Sequence, residues 1–488
     1  TRKESSAASD VYKRQIENNR IKNTAGQDFN TAVQVGYTDQ RFTSILNMSN
    51  YYQKAGFFAG AHGIPLASNL LSDGNDRNID FPYQKVNHLK IISENEYKFG
   101  TNKILKLKSS YQNNVRQEWS VFHTHYPDQP IPETNPNLEL EFDLSTYDTQ
   151  LSFDWKHSPK FKTIIGVQSQ YQNNTIDGYN FLLPKYKRTI YSAYMIEEVN
   201  AHQNLKLSAG IRYDFGKMKT ESFYDPYLYQ FLIKDGYDHE TANQYALRGE
   251  KINRNFQTLN GVLGASYHAG KSWDFSLNIG TNYRLPTAIE LGANGIHHGS
   301  FRHEQGNADL DSERGFSADL KIDYHPQTWN ISFSPYVYYF SNYIFLQPSG
   351  HFSILPHAGQ IYQYTQSEAL IGGFEVAAEK TIADKLQISA VYEYVFNKQL
   401  GIDKSKRYPL PFTPANNVFG EIKYQLTNEE NIIENWHIFL NAKYTFEQDR
   451  IAQNEEKTGA YFLLGAGTKT NLHFRNFEAI IGCLLYTS

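Results

Sequence analysis

Thiols are almost missing from this sequence, because Cys483 is the only cysteine among its 488 residues. A disulfide framework and a thiolate metal site are therefore excluded. No run of about 18 apolar residues occurs, which excludes a transmembrane helix. Acidic and basic residues nearly balance at a net charge of −4, so the composition does not favour nucleic-acid binding. Serine elbows of the Gly-x-Ser-x-Gly type are absent, which argues against a lipase or protease.

Aromatic residues, in contrast, are abundant, with 36 tyrosines and 31 phenylalanines. They occur in segments where apolar and polar residues alternate strictly. In one such segment Leu320 and Ile322 flank Lys321, and similar alternation recurs along the chain. A period of two places each set on one face of a β-strand. The pattern predicts strands with Leu277, Ile331, Leu386 and Leu440 on one common face.

The polar face of these strands carries charged residues at mid-strand, such as Asp319 and Lys321. Such residues are costly in a dry core but suit a wide, wet lumen. The fold class predicted is therefore all-β: a transmembrane antiparallel β-barrel with lipid outside and water or a plug inside. If Ile331 lies at the bilayer midplane, arginine there costs about 2–4 kcal/mol, whereas arginine at Asn330 is tolerated.

Alternation and turn residues predict about 18 strands. They lie near 29–38, 41–52, 87–99, 103–121, 138–156, 160–173, 187–200, 203–214, 252–268, 272–284, 312–325, 328–343, 364–382, 385–398, 412–426, 434–447, 459–473 and 476–482. Short turns alternate with long connections, which predicts short periplasmic turns and long extracellular loops. The stretch from Phe215 to Glu250 is predicted to be a large external loop, with a helix possible within Tyr237 to Arg248.

The two ends of the sequence do not share the strand pattern. Residues 1–15 show neither alternation nor a secretory signal, and residues 483–488 interrupt a strand that begins at Phe477. Both ends resemble translated adapter sequence. We therefore expect residues 16–482 to form the barrel and residues 1–15 and 483–488 to be non-native. A genuine polar tail is the alternative.

Several boxes between residues 283 and 425 resemble those of TonB-dependent outer-membrane receptors. The segment from Tyr283 to Gly299 reads YRLPTAIELGANGIHHG, with an Arg-x-Pro-Thr box followed by an Ala-Asn-Gly-x-His loop. A Gly-Asn-x-x-Leu box follows at Gly306 to Leu310, and then Glu313. Segments 341–350, 364–375 and 409–414 resemble later parts of the same family. The hairpin pattern extends this resemblance over about residues 16–482.

The resemblance implies a barrel of about 22 strands closed by a plug. Counting back from Phe477, the chain is expected to lack the plug, about three early strands and the last strand. It implies an outer-membrane active-transport receptor that imports a scarce nutrient, preferably an iron complex (siderophore or haem), zinc or another metal. The TonB–ExbB–ExbD complex is expected to act through the plug, with outer-membrane lipids around the barrel. No cofactor of its own and no nucleic-acid partner are expected.

Other functions stay open at this point. They are a passive porin, a receptor for cobalamin or an oligosaccharide, and a barrel adhesin. The chain shows no nucleophile–base constellation, so we predict that it is not an enzyme.

Histidines concentrate in the predicted external loops. His123 and His125 are two residues apart, so in a strand-like segment their imidazoles share one face at a spacing suited to chelation. A second pair is His297 and His298, with His303 nearby. Imidazole binds zinc, copper and iron, including haem iron. The first four are therefore candidate metal ligands, and all five are candidate substrate contacts. The alternative is that they are ordinary polar loop residues.

Further candidate contacts with the substrate lie beside the Pro286 turn: Arg284, Glu290 and Asn294. Arg284 and Glu290 are also candidate contacts with the plug. Arg284 and Glu290 are equally well explained as partners of each other at the barrel rim. Aromatic residues near the loops predict a substrate lip or, alternatively, ordinary girdle positions: Phe57, Phe58, Trp119, Tyr126 and Tyr179.

Overall fold

The computed structural model describes residues 22–57, 74–75, 77–297, 302–356, 358–401, 407–427, 429–430, 433–474 and 477–486. Its strands are β1 (Gly26–Thr38), β2 (Phe42–Gly56), β3 (Tyr83–Lys98), β4 (Lys103–Trp119), β5 (Leu138–Lys156), β6 (Phe161–Asp177), β7 (Tyr186–His202), β8 (Leu205–Thr220), β9 (Phe223–Tyr224), β10 (Leu247–Gly249), β11 (Asn253–Ala269), β12 (Trp273–Arg284), β13 (Asn294–His297), β14 (Arg302–Gln305), β15 (Glu313–Tyr324), β16 (Trp329–Phe352), β17 (Gln360–Ile382), β18 (Leu386–Gln399), β19 (Asn417–Gln425), β20 (Glu429–Glu430), β21 (Ile433–Thr445), β22 (Tyr461–Phe474) and β23 (Phe477–Tyr486). The helices are α1 (Pro226–Lys234), α2 (His239–Ala246) and α3 (Ala288–Gly292). Within the described ranges, no helix has the length and apolar character needed to cross a bilayer.

The long strands form one meandering antiparallel sheet, in which each long strand pairs with the next one along the chain. Every one of the strands predicted from alternation is present, which confirms the all-β antiparallel prediction. Within the described residues, β1 pairs with β2 alone and β23 with β22 alone. One short pairing is parallel: β14 runs beside the first residues of β17, from Gln360 to Gln363.

The strand register places apolar and polar residues on opposite faces. Directly paired residues share a face, and one row across seven strands is apolar throughout: Phe275, Ile322, Phe333, Val376, Tyr392, Val418 and Tyr444. Four predicted lipid-facing residues lie on the same face, because each is an even number of residues from a member of this row on its own strand: Leu277, Ile331, Leu386 and Leu440. A row on the other face is polar: Asn330, Glu379, Ser389, Glu421 and Asn441. The predicted division into a lipid face and a lumen face is therefore confirmed.

Aromatic side chains mark the short-turn end of the sheet. The rings of Trp273 and Tyr324 lie 4.3 Å apart on neighbouring strands. Lys380 Nζ lies 4.6 Å from the ring centre of Trp329, and Lys103 Nζ lies 5.2 Å from that of Trp155. Tryptophan and tyrosine prefer the membrane–water boundary, with lysine reaching towards water. These residues therefore locate one boundary of the bilayer.

Several strand boundaries differ from the prediction. β16 and β17 continue through most of 344–363, a segment predicted to be a long loop, because Ile344 and Phe345 are buried against the rim and β14 pairs with β17. β19 begins at Asn417 rather than at 412, because Pro414 lacks the N–H that a central strand needs. β23 continues through Cys483 to Tyr486, beyond the predicted end at 482.

The stretch from Phe215 to Glu250 contains more regular structure than the large external loop with one helix that we predicted. β8 continues to Thr220, and two helices follow. Asp225 caps α1, accepting hydrogen bonds from the backbone nitrogens of residues 227 and 228, and Pro226 occupies the first turn. Asp238 caps α2, accepting a hydrogen bond from the backbone nitrogen of Thr241. The predicted helix within Tyr237 to Arg248 is therefore confirmed as α2, whereas α1 was missed.

These helices belong to a small apolar core formed by the long loops themselves. It comprises Leu228, Leu232, Ala242, Ile296 and Leu355, which come from α1, α2, β13 and the β16–β17 connection. Because residues far apart in the sequence share this core, the loops pack as a roof over one end of the sheet. The roof holds the candidate functional site.

Candidate functional site

A cavity of about 330 Å³ lies within the roof. Its walls come from the 120–137 loop, the β6–β7 connection, β9, β10, β13 and the β16–β17 connection. Ligand cavities in proteins begin at about this size. The residues that line it include His125, Tyr126, Gln129, Asp177, Tyr179, Phe181, Lys185, Glu221, Phe223, Asp225, Arg248, Ile296 and Leu355.

Arg248, on β10, is the buried cation of this cavity. The residue is only 7% exposed, and its Nε has no hydrogen-bond partner among the described residues. Its guanidinium carbon lies 5.8 Å from the ring centre of Phe181. Burial lowers the pKa of Arg248 to about 10, although the nearby Asp225 carboxylate opposes this effect. At neutral pH the side chain is therefore a positive charge held away from bulk water.

The Asp225 carboxylate attracts Arg248 electrostatically, but both of its oxygens already accept hydrogen bonds from other groups. Oδ1 accepts hydrogen bonds of 3.0 Å from the backbone nitrogens of Tyr227 and Leu228. Oδ2 accepts a hydrogen bond from the hydroxyl group of Tyr126. Burial, followed by this hydrogen bond, raises the pKa of Tyr126, so its hydroxyl stays protonated. The negative charge of Asp225 thus also stabilises the N-terminus of α1.

Aromatic rings form the rest of the cavity wall. The rings of Phe181 and Phe223 stack at 5.0 Å, and the hydroxyl of Tyr179 hydrogen-bonds to that of Ser120.

Two glycines allow the backbone segments that line the cavity to approach each other closely. Gly178 has a φ of +107°, and a Cβ at Gly295 would lie 2.2 Å from a backbone oxygen. Of the predicted aromatic lip, Tyr126 and Tyr179 therefore face the cavity, whereas Phe58 lies outside the described residues.

His123 and His125 lie together beside this cavity. Their ring centres are 4.8 Å apart, and the ring of Tyr179 lies 5.8 Å from His123 and 6.3 Å from His125. The backbone nitrogen of His125 donates to Gln129 Oε1 at 2.8 Å. The predicted spacing of two imidazoles on one side is therefore present in the structure.

The second predicted histidine pair is only partly described. The backbone of His297 ends β13, next to the cavity residue Ile296, but the side chain of His297 and the whole of His298 lie outside the described residues. Where side chains are described, no group of three or more His, Cys, Asp or Glu residues is arranged to hold a metal ion.

His303 and Asn294 have internal partners in the roof. His303 is fully buried; its Nε2 is 2.7 Å from Asn294 Oδ1 and its Nδ1 is 2.9 Å from Ser353 Oγ. Asn294 Nδ2 donates to the carbonyl oxygen of Leu247 at 3.0 Å. Burial and, secondarily, the charge of Arg248 lower the pKa of His303 to about 3. This histidine is therefore neutral at pH 7 and joins β13 to the tip of the β16–β17 hairpin.

Arg284 and Glu290 pair with each other at the rim, as one of the two sequence interpretations proposed. Arg284 Nη1 lies 2.7 and 2.9 Å from the two carboxylate oxygens of Glu290, and its Nη2 lies 3.2 Å from Glu313. Glu290 also accepts from the backbone nitrogen of Thr287, which completes a capping box at α3. These contacts attach the 285–311 loop to β12.

Replacing Glu290 should loosen this attachment in two steps. Glu290→Gln keeps a capping-box side chain but removes the charge, whereas Glu290→Ala removes both. We expect Glu290→Ala to destabilise α3 by about 2 kcal/mol and Glu290→Gln by less, since Arg284 is partly solvated and keeps Glu313. Hydrogen exchange of the amides of residues 288–292 measures the change. Asp128→Asn, which removes an exposed ion pair with Lys234, is the matched control, and equal effects of all three would contradict the assignment.

Arg248 is the residue that the sequence analysis missed. It appeared there only as the last residue of a possible helix, in the segment Ala246-Leu247-Arg248-Gly249. Nothing local distinguishes it from a solvated arginine. Its burial depends on segments that are distant in sequence, among them the 120–137 loop and the β6–β7 connection.

Comparisons with known proteins agree with this architecture. The family model described as TonB dependent receptor-like, beta-barrel, matches residues 15–478. The solved structure of the copper transporter OprC is similar over 94% of this chain, with a TM-score of 0.70 and 16% identity. The FrpB iron transporter from Neisseria meningitidis (F3-3 variant) is similar over 95%, with a TM-score of 0.63 and 12% identity. The ferric citrate transporter FecA, in its unliganded form, is similar over 95%, with a TM-score of 0.66 and 11% identity.

The chain spans 65% of OprC, 72% of FrpB and 65% of FecA. Identities this low show a shared fold only. The family match, in contrast, covers most of the chain and agrees with the meandering sheet, its apolar outer face and its long loops at one end. The chain therefore belongs to the TonB-dependent receptor-like β-barrel family, and it is a β-barrel protein of the outer membrane.

Proposed function

We propose that this chain is the barrel of an active-transport receptor that imports an iron complex, such as a siderophore or haem, or another metal chelate. The observation that carries the proposal is the family match over residues 15–478. The similar solved structures are named as transporters of copper, iron and ferric citrate, which favours a metal-containing substrate. The roofed cavity provides a place for the first contact with a substrate.

The energy for uptake is proposed to come from TonB with ExbB and ExbD, acting through a plug encoded by the complete receptor gene. A barrel of this width would leak if it were open, so a plug and an energised step belong together. We further propose that residues 16–482 are the receptor's own barrel and that 1–15 and 483–488 are foreign to it. Sequencing the gene upstream is expected to reveal a plug domain of about 120–150 residues.

Uptake in a receptor-deficient host tests the proposal. The complete receptor gene should support accumulation of ⁵⁵Fe supplied as haem or as a ferric siderophore, and loss of TonB should reduce accumulation at least about tenfold. Uptake that continues unchanged without TonB would identify a passive porin. TonB-dependent uptake of cobalamin or an oligosaccharide, with no uptake of metal complexes, would place the receptor in another substrate class.

The loop histidines are proposed as contacts of the transported metal complex. Two imidazoles at 4.8 Å can supply part of a coordination sphere whose remaining ligands come from the chelator. Replacing His123, His125, His297 and His298 by alanine should weaken binding of haem or zinc at least about tenfold in the purified receptor. His268→Ala, at the short-turn end, is the matched control. Unchanged metal binding and uptake in the fourfold variant would show that these histidines are polar loop residues only.

A further inference from the structure

We propose that the roof cavity binds an oxyanion, a carboxylate or phosphate group on a small planar molecule, with Arg248 as its counter-ion. This inference rests on the proposed function, because it specifies one chemical group of the substrate. It concerns Arg248 and the aromatic walls of the cavity, which His125 also lines.

The first argument is the missing partner of Arg248. A buried charge is costly unless it is paired and hydrogen-bonded. The Nε of Arg248 has no hydrogen-bond partner among the described residues, and no ion pair within 4.0 Å is found for its guanidinium there. An arginine presents a planar array of donors that matches the two oxygens of a carboxylate or phosphate. The cavity thus offers donors without an acceptor.

The second argument is the distribution of charge around the cavity. Asp177, Lys185 and Glu221 also line it, but all three are exposed and screened by water. Asp225 is partly buried and attracts Arg248 electrostatically, but it already accepts hydrogen bonds from the backbone of α1 and from Tyr126. Among the described residues that line the cavity, Arg248 is therefore a buried charged side chain for which neither a hydrogen bond nor an ion pair within 4.0 Å is found.

The third argument is the shape and chemistry of the walls. Phe181 lies beneath the guanidinium, and Phe223 stacks on Phe181. Tyr126 and Tyr179 add further ring faces. Aromatic faces favour planar ligands, and a volume of about 330 Å³ accommodates a small molecule or one arm of a larger chelate. The predicted ligand group is therefore an oxyanion attached to a planar or aromatic body.

Binding of three simple probes to the complete purified receptor tests the proposal. Benzoate presents a carboxylate, phenyl phosphate a phosphate, and benzamide is the neutral analogue of benzoate. Calorimetry should detect binding of benzoate, phenyl phosphate or both, and weaker binding of benzamide. Inorganic phosphate is the fourth probe; if it binds as well as phenyl phosphate, the aromatic walls contribute nothing and the planar-ligand part of the proposal is wrong.

Variants assign the binding to Arg248. Arg248→Gln should weaken binding of the anionic probes at least about tenfold, and Arg248→Lys should weaken benzoate binding while keeping the charge. Lys234→Gln, on the outer surface of α1, is the matched control and should bind like the wild type. If Arg248→Gln fails to fold, Arg248→Lys and protection of Arg248 from phenylglyoxal by benzoate provide the same test.

The outcomes separate this inference from the proposed function. Equal binding of benzoate and benzamide, or anion binding that survives Arg248→Gln, would overturn the oxyanion site. TonB-dependent uptake of metal complexes could persist in that case, and the proposed transport function would then remain valid without an oxyanion site in this cavity. Loss of anion binding together with reduced uptake in Arg248→Gln would support both.

Discussion

Ile331→Arg and Phe333→Arg are expected to destabilise the barrel to different extents, and Asn330→Arg hardly at all. Phe333 belongs to the apolar row, where it pairs with Ile322 and Val376. Arginine there should cost about 2–4 kcal/mol, the value for a lipid-facing position near the bilayer midplane. Asn330 lies on the polar face opposite Glu379, where arginine is compatible with its surroundings.

The structure revises the depth assigned to Ile331. It lies two residues from Trp329 and directly opposite Tyr324, both of which belong to the aromatic boundary. A spanning strand needs about 9–11 residues, so the segment from Trp329 to Tyr339 crosses the bilayer with Phe333 near its centre. Ile331→Arg should therefore cost less than Phe333→Arg, at most about 2 kcal/mol.

Urea titration of the complete receptor refolded into lipid vesicles measures these differences. The expected order of destabilisation is Phe333→Arg, then Ile331→Arg, then Asn330→Arg. Ser334→Arg, inward-facing and opposite Glu375, is the matched control for Phe333 at the same depth. If Phe333→Arg and Ser334→Arg proved equally destabilising, the assignment of the two faces would be wrong.

The second large effect concerns pH. The folded state lowers the pKa of His303 to about 3, below the ordinary value of 6.5. Between these values the unfolded chain binds a proton that the folded chain does not, so stability falls as the pH falls. The contribution of neutral His303 to the free energy of unfolding is complete above about pH 6.5 and decreases by about 1.4 kcal/mol per pH unit below it. Between pH 7 and pH 4 the loss should reach about 3 kcal/mol.

His303→Gln isolates this contribution from the carboxylates that also titrate. Glutamine is neutral throughout and retains a hydrogen-bonding side chain towards Asn294 and Ser353. Hydrogen exchange of residues 294–297 and 302–305, corrected for the intrinsic rate, should show acid-induced opening in the wild type and much less in His303→Gln. His325→Gln, at a short turn, should behave like the wild type. Equal acid sensitivity with and without His303 would contradict the assignment.

The strands could be predicted from sequence because alternation is a local property. Leu277 and Asn278 face opposite sides whatever the rest of the chain does, and the observed register agrees. Strand ends were less predictable where distant contacts decide them. β16 continues past Ile344 because that residue is buried in a cluster with Leu285 and Leu310, a contact that the local pattern does not contain.

The site was predicted only in part, for the same reason. His123 and His125 are two residues apart, so their proximity followed from the sequence and is present in the structure. Arg248 was not predicted because its surroundings depend on distant residues. The nearby Asp225 accepts hydrogen bonds from α1 and from Tyr126, and the sequence around Arg248 indicates neither contact. His303 was taken as a substrate contact, whereas tertiary packing buries it between Asn294 and Ser353.

The length of the β16–β17 hairpin determines how far the cavity lies from the membrane surface. With Trp329 to Tyr339 in the bilayer, about 13 residues of β16 remain beyond it, and at about 3.4 Å per residue and a tilt near 45° they rise about 30 Å. Leu355, at the tip of this hairpin, lines the cavity. The cavity therefore stands well clear of the lipid, within reach of antibodies. An antibody bound at this tip would obstruct capture of the ligand without touching the barrel wall.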